Sequence, residues 1–160
     1  MANVVIIGSG PAGVSAALYT ARAGMDTTVL TKGSGALARA EGIENYYGVP
    51  GPVSGAELER RGIEGAKAVG VKFVEAEAVG LTFTDKLTVE TLSGDWPADA
   101  VILATGASRT APPIPGLKAL EGHGVSYCAT CDAFFYRGKD VAVMGSGEYA
   151  LHEASALLPL

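Results

Sequence analysis

Long apolar runs are missing from this sequence. No stretch of its 160 residues approaches the ~20 consecutive apolar residues of a membrane-spanning helix, so no membrane association is expected. Basic clusters are missing too. Twelve Lys and Arg stand against seventeen Asp and Glu, for a net charge of −5. That balance removes the electrostatic footprint of a nucleic-acid or anionic-membrane partner. The first strand is expected to begin at Asn3, with no basic leader or cleavage site before it, so a cytoplasmic location is expected. There are only two cysteines and two histidines. So few are too sparse for a disulfide framework or a histidine-rich metal site.

What is present reads as globular: 48% hydrophobic and 18% charged residues. The length suits one domain, or one domain and part of another. Both cysteines fall in Cys128-Ala129-Thr130-Cys131-Asp132. Two thiols three positions apart on the first turn of a helix can close into a disulfide and reopen. The partial positive charge of a helix N-terminus favours thiolate over thiol. Asp132, beside the second sulfur, is placed to carry a proton as a thiolate leaves or returns. The competing reading is half of a zinc site, which needs four ligands. Only His123 and His152 remain for that, without finger-like spacing, so no metal is expected. In a reducing cytosol such a pair reads as catalytic rather than structural.

The N-terminus spells strand, glycine turn, helix. Val4-Val5-Ile6-Ile7 is a β-branched run of the kind buried on both faces of a parallel sheet. It leads into Gly8-Ser9-Gly10-Pro11-Ala12-Gly13 and a helix from Val14 to Arg22. In that pattern the first glycine permits the tight turn and the second lets the backbone approach a pyrophosphate. The third lets helix and strand pack closely, and the phosphates sit on free N–H groups of the helix. The alternative is a plain glycine turn. A second strand is expected at Thr27–Leu30, but Thr31 and Lys32 stand where an acid would hold the ribose. The segment from Gly33 to Gly55 reads as a long loop without regular structure, able to reach over a cofactor with Asn45, Tyr46 and Tyr47.

A helix over 56–69 is expected, with Leu58, Ile63 and Ala66 inward and Glu59, Arg60, Arg61 and Glu64 outward. Strands follow at 72–76, 78–83 and 86–92, the last two as an antiparallel hairpin, with Trp96 as core above it. Ala100–Ala104 reads as another buried parallel strand, ending in Thr105-Gly106-Ala107-Ser108. Ligands of such sheets sit beyond the strand C-termini, which directs Thr105 and Gly106 to the crevice of Gly8–Gly13. Ala111-Pro-Pro-Ile-Pro-Gly116 reads as a stiff linker. The expected domains are therefore 1–113 and 114–160. In the second, Val141–Met144 reads as a strand before Gly145-Ser-Gly-Glu-Tyr-Ala150 and a helix over 151–158. Two strand–glycine–helix units imply two dinucleotides. A lone strand, however, has no partner for its N–H and C=O groups, so this segment is expected to need strands from elsewhere.

Taken together, these residues resemble the low-molecular-weight thioredoxin reductases of the flavoprotein disulfide reductase family, N-terminal half only. The resemblance rests on Gly8–Gly13, Glu44-Asn-Tyr-Tyr-Gly48 with Ser54-Gly55, Ala104–Ser108, Gly124–Asp132 with Phe134–Arg137, and Gly145–Ala150. It implies an α/β fold: a Rossmann-like FAD-binding domain with a small antiparallel meander, plus the start of a second Rossmann-like NAD(P)-binding domain. It further implies that Gly8, Gly10, Pro11, Ala12, Gly13, Asn45, Thr105 and Gly106 contact FAD. Gly145, Gly147 and Ala150 would line the NADPH pyrophosphate. Cys128 and Cys131 would form the redox disulfide, with Asp132 as acid/base and thioredoxin or a similar small disulfide protein as partner. A homodimer is implied by the same analogy. Which sulfur meets the flavin stays open. One departure is that the family's Gly-Gly-Gln-Leu segment reads Ser34-Gly35-Ala36-Leu37 here. Other donors (NADH, a ferredoxin), a peroxiredoxin acceptor, and an inactive nucleotide-binding fragment remain as alternatives.

Overall fold

The computed structural model describes residues 1–107 and 111–160. The chain divides into two compact units, Met1–Arg109 and Thr110–Leu160.

In the first unit the strands β1 (Asn3–Ile7), β2 (Asp26–Thr31), β3 (Lys72–Glu75) and β7 (Ala100–Leu103) form a parallel sheet of order β3-β2-β1-β7. The remaining strands, β4 (Ala78–Phe83), β5 (Leu87–Thr91) and β6 (Gly94–Ala98), form an antiparallel meander. Helices α1 (Pro11–Arg22) and α2 (Gly55–Ala68) complete the unit.

The layering follows from side-chain alternation along β1 and β2. Val4, Ile6 and Val29 pack with Val14 and Ala17 of α1 and Ala66 of α2. Val5 and Leu30 point the other way, into a second cluster with Val89 and Ala98 of the meander and Trp96 against it. The parallel sheet is therefore covered on one side by helices and on the other by the meander. That is why β1 is apolar at the successive positions Val4 to Ile7, and β2 is buried at successive positions from Thr27 to Leu30.

Three local expectations are corrected. The meander has a third strand, Gly94–Ala98, paired with β5. Pro97 masks it in the sequence, yet proline is tolerated because β6 lies at the meander's edge. Residues 33–54 are not a structureless excursion. They hold a 3-10 turn at Ala36–Arg39 and a bridge between Ile43 and Val53. Glu59, expected outward, is buried at 9% exposure. Its Oε1 accepts the Gly35 N–H at 3.2 Å, so the carboxylate anchors the 33–39 segment onto α2.

At the start of α2, Ser54 caps the helix by accepting the Glu57 N–H at 3.2 Å. The Glu57 carboxylate is engaged by Arg60 at 2.8 Å and Arg61 at 2.7 Å. These guanidinium hydrogen bonds, Arg60 first, lower its pKa from 4.5 to about 2. A depressed carboxyl contributes stability that is present above its unfolded pKa and lost as pH falls through the folded value. Acid titration followed by helical circular dichroism is therefore expected to show a loss between pH 4.5 and about 2. Glu57→Gln should lack that limb; an unchanged acid profile in the variant would contradict the assignment.

The second unit contains a 3-10 turn at Leu117–Leu120, α3 (Ala129–Asp132), a 3-10 turn at Ala133–Tyr136, and α4 (Glu148–Leu157). The strand expected at Val141–Met144 does not form: among the described residues these have no ladder partner. They are exposed, Val141 at 49% and Met144 at 70%. The reason is the one that makes isolated strands unstable, since extended backbone without a neighbour has nowhere to place its polar groups. Among its described residues, the second unit thus offers a glycine segment and a helix but no sheet.

Candidate functional site

Two groups of residues, one in each unit, carry the chemistry.

In the first unit the C-terminal ends of β1 and β7 lie side by side, with the Ala104 N–H donating to the Ile7 carbonyl at 2.9 Å. Gly8 leaves β1 with φ +113°, and a Cβ there would strike the carbonyl oxygen of Ala104. A Cβ on Gly13 would strike the carbonyl oxygen of Gly8. Both glycines are therefore required to bring α1 down onto the turn. Gly10 differs, because a Cβ there meets nothing within 4 Å. It faces open space at the start of α1, whose N-terminus has no side-chain cap and no acid in its first turn. Pro11 opens that helix, a position where the missing N–H costs nothing.

The result is a tight glycine turn leading into an uncapped helix N-terminus, an arrangement that fits a dinucleotide phosphate. Thr105 and Gly106 follow β7 beside it, both exposed. The expected Ala104–Ser108 motif is described only to Ala107; Ser108 lies outside the described residues. Asn45 is exposed on the loop closed by Ile43 and Val53. Among the described residues no hydrogen bond ties it to the glycine turn.

At the ribose end of such a site, Ser9 and Thr31 share a hydrogen bond between hydroxyls of 2.6 Å. Thr31 Oγ1 also accepts the Gly33 N–H at 3.2 Å. Thr31, standing where an acid was expected, thus ties the glycine turn to the end of β2. Sequence reading missed this pairing because the two residues lie far apart in the chain.

In the second unit Cys128 and Cys131 form a disulfide, with Cα atoms 5.3 Å apart. Cys128 is the N-cap of α3, and its sulfur accepts the Cys131 N–H at 3.2 Å. Cys131 is exposed and Cys128 half-buried. Ser126 Oγ donates to Asp132 Oδ2 at 2.5 Å and accepts the Cys128 N–H at 3.2 Å. Asp132 is thereby held at the disulfide through a hydroxyl that the motif alone did not reveal. Tyr127 donates to Glu121 at 2.9 Å. That hydrogen bond, with some burial and the Glu121 charge, raises the tyrosine pKa.

A cavity of about 880 Å³ opens in this unit, and its lining includes Cys128, Asp132, Val143, Gly145, Gly147 and Ala150. It therefore gathers the disulfide and the glycine segment on one surface. A Cβ on Gly145 would sit 2.6 Å from Ala150 Cβ. Close packing there makes Ala150 the counterpart of the third glycine in the first turn. Gly147 is the N-cap of α4, without a side-chain cap, and Glu148 occupies its first turn. An acid at that place competes with a bound phosphate, so the second glycine segment is the weaker of the two cradles.

The family of pyridine nucleotide-disulphide oxidoreductases matches residues 2–160. A thioredoxin reductase of Aquifex aeolicus is 44% identical over 156 residues, covering 95% of this chain and 48% of that protein. One of Peptoclostridium litorale is 44% identical over 158 residues, covering 97% and 50%. The crystal structure of thioredoxin reductase from Streptococcus pyogenes superposes with a TM-score of 0.89 at 36% identity, covering 99% of this chain and 53% of that one. The chain spans about half the length of these relatives.

Proposed function

Because the chain belongs to the pyridine nucleotide-disulphide oxidoreductase family, we propose that it carries the flavin-binding and disulfide-bearing part of a thioredoxin-disulfide reductase. The single observation behind this reading is the Cys128–Cys131 disulfide, flanked by Asp132, in the same chain as a strand–glycine–helix cradle. In this reading the chain ends its work on a small disulfide protein such as thioredoxin.

FAD, when bound, supplies a two-electron relay between NADPH and the disulfide. Gly8, Gly10, Pro11, Ala12 and Gly13 hold its pyrophosphate on the N-terminus of α1, with Thr105 and Gly106 alongside and Asn45 on the neighbouring loop. Gly145, Gly147 and Ala150 contribute to the NADPH site. When the disulfide opens, one sulfur leaves as thiolate. Asp132 gives it a proton and takes the proton back as the bond re-forms, and Ser126 fixes the carboxyl that does so. Deprotonated again, one sulfur attacks the partner's disulfide as a thiolate and expels a partner thiolate. The second sulfur, also as a thiolate, then displaces the remaining partner sulfur and re-forms the Cys128–Cys131 bond. A soluble cytoplasmic homodimer is the working form in this proposal.

The test is FAD titration of the purified protein followed by its visible spectrum. A bound, structured flavin band that bleaches on anaerobic addition of NADPH supports the reading. A protein that retains no flavin at any ratio refutes the assignment of the first cradle.

A further inference from the structure

One charge reaches the disulfide from outside its own segment. Glu153 lies on α4, and its Oε2 accepts the N–H of Ala129, 24 residues away, at 2.6 Å. Ala129 directly follows Cys128 and is the first residue of α3. Backbone N–H groups at this place are the donors that stabilise a thiolate on the neighbouring sulfur. One of them, from Cys131, already points at Cys128 Sγ at 3.2 Å. The Ala129 N–H is instead engaged by Glu153, whose carboxylate thereby sits on the peptide that joins Cys128 to Ala129. Ala129 is buried and Glu153 half-buried, so solvent screens this charge less than it would on an open surface.

Opening the disulfide adds two electrons and breaks the S–S bond. The product carries two protons, or one proton and one thiolate. The disulfide is uncharged and the thiolate form is not. A carboxylate beside the pair, and an N–H already engaged by it, therefore both favour the oxidised state.

From this geometry we infer that Glu153 is a positioning residue that lowers the reduction potential of the Cys128–Cys131 pair through its hold on Ala129. The inference rests on the redox reading of that pair. It makes the pair a stronger reductant toward its acceptor once reduced, a property of α4 that the cysteine motif does not encode.

The experiment equilibrates the 160-residue protein and its Glu153→Gln variant in buffers of reduced and oxidised dithiothreitol. The reagent's own disulfide forms as the protein's breaks. Free thiols are then alkylated and counted by intact mass. Glutamine keeps an oxygen acceptor for Ala129 but removes the charge. The equilibrium constant is expected to move about fourfold toward the dithiol, ~18 mV for a two-electron couple. Glu153→Ala should move it at least as far. Thermal melting of both variants identifies a purely structural role: lower stability in Glu153→Ala with an unmoved constant in both would overturn the inference. So would a shift toward the disulfide. A wild-type pair that cycles normally while the variants match it sinks this inference alone, whereas a wild-type pair that no buffer can reduce sinks the redox reading as well.

Discussion

Replacing either Cys128 or Cys131 with serine is expected to bring disulfide exchange down to the uncatalysed background and leave FAD uptake unchanged. Neither sulfur can substitute for the other. The half-buried Cys128 caps α3 and receives the Cys131 N–H, while Cys131 is exposed one turn on. A single remaining thiol can form a mixed disulfide but cannot resolve it, so exchange stops after one event. The flavin contacts proposed here lie in the first unit and involve neither cysteine. Stopped-flow exchange with a disulfide substrate, run beside a flavin titration, reads both halves of the prediction. A variant that still turns over at the full rate would remove the disulfide from the mechanism.

The second large effect separates two kinds of glycine in one turn. Gly13→Val forces a side chain against the Gly8 carbonyl. Relief requires α1 to move off β1, at a cost on the order of 3 kcal/mol. It is expected to lower the melting temperature and abolish FAD binding together. Gly10→Ala meets no atom within 4 Å, and its φ of −70° suits any residue. Its stability should stay within about 0.5 kcal/mol of wild type. FAD affinity should nevertheless fall, because the methyl stands where the pyrophosphate approaches the backbone. Isothermal titration and thermal melting of the two variants separate the roles. Gly10→Ala binding flavin as well as wild type would show that the cradle holds nothing there.

Much of the first unit was legible because its signals are local. Val4–Ile7 is apolar at successive positions because β1 is covered by helices on one face and by the meander on the other. Ala100–Leu103, expected to be buried as well, is the edge strand of the sheet and only partly covered, with Leu103 67% exposed. The turn after β1 was readable because only glycine fits at Gly8 and Gly13. Several of the failures share one cause, dependence on partners distant in sequence. Val141–Met144 is as apolar as β1, yet composition does not supply a neighbouring strand, and without one the segment stays irregular and exposed. Glu59 sits on the charged stripe of α2, but the Gly35 N–H that justifies its burial lies in a loop 24 residues earlier. Glu153 escaped for the same reason, its partner Ala129 lying 24 residues earlier, whereas Ser126 is only six residues from Asp132 and stands outside the cysteine motif itself. The cysteine motif announces its sulfurs and its acid, while the groups that hold them are set by how the chain folds back.

The measurement that bears most directly on the central claim is thiol–disulfide exchange between this protein and thioredoxin. The reduced protein is mixed with oxidised thioredoxin, the reaction is quenched with an alkylating agent, and both proteins are weighed. The account predicts that two electrons cross: thioredoxin gains two labelled thiols while Cys128 and Cys131 lose theirs to the disulfide. The Cys-to-Ser variant that keeps only the attacking sulfur should arrest as a covalent complex of the two proteins. Labels that stay on Cys128 and Cys131, with thioredoxin still oxidised, would contradict the assignment of this disulfide as the protein's output to its partner.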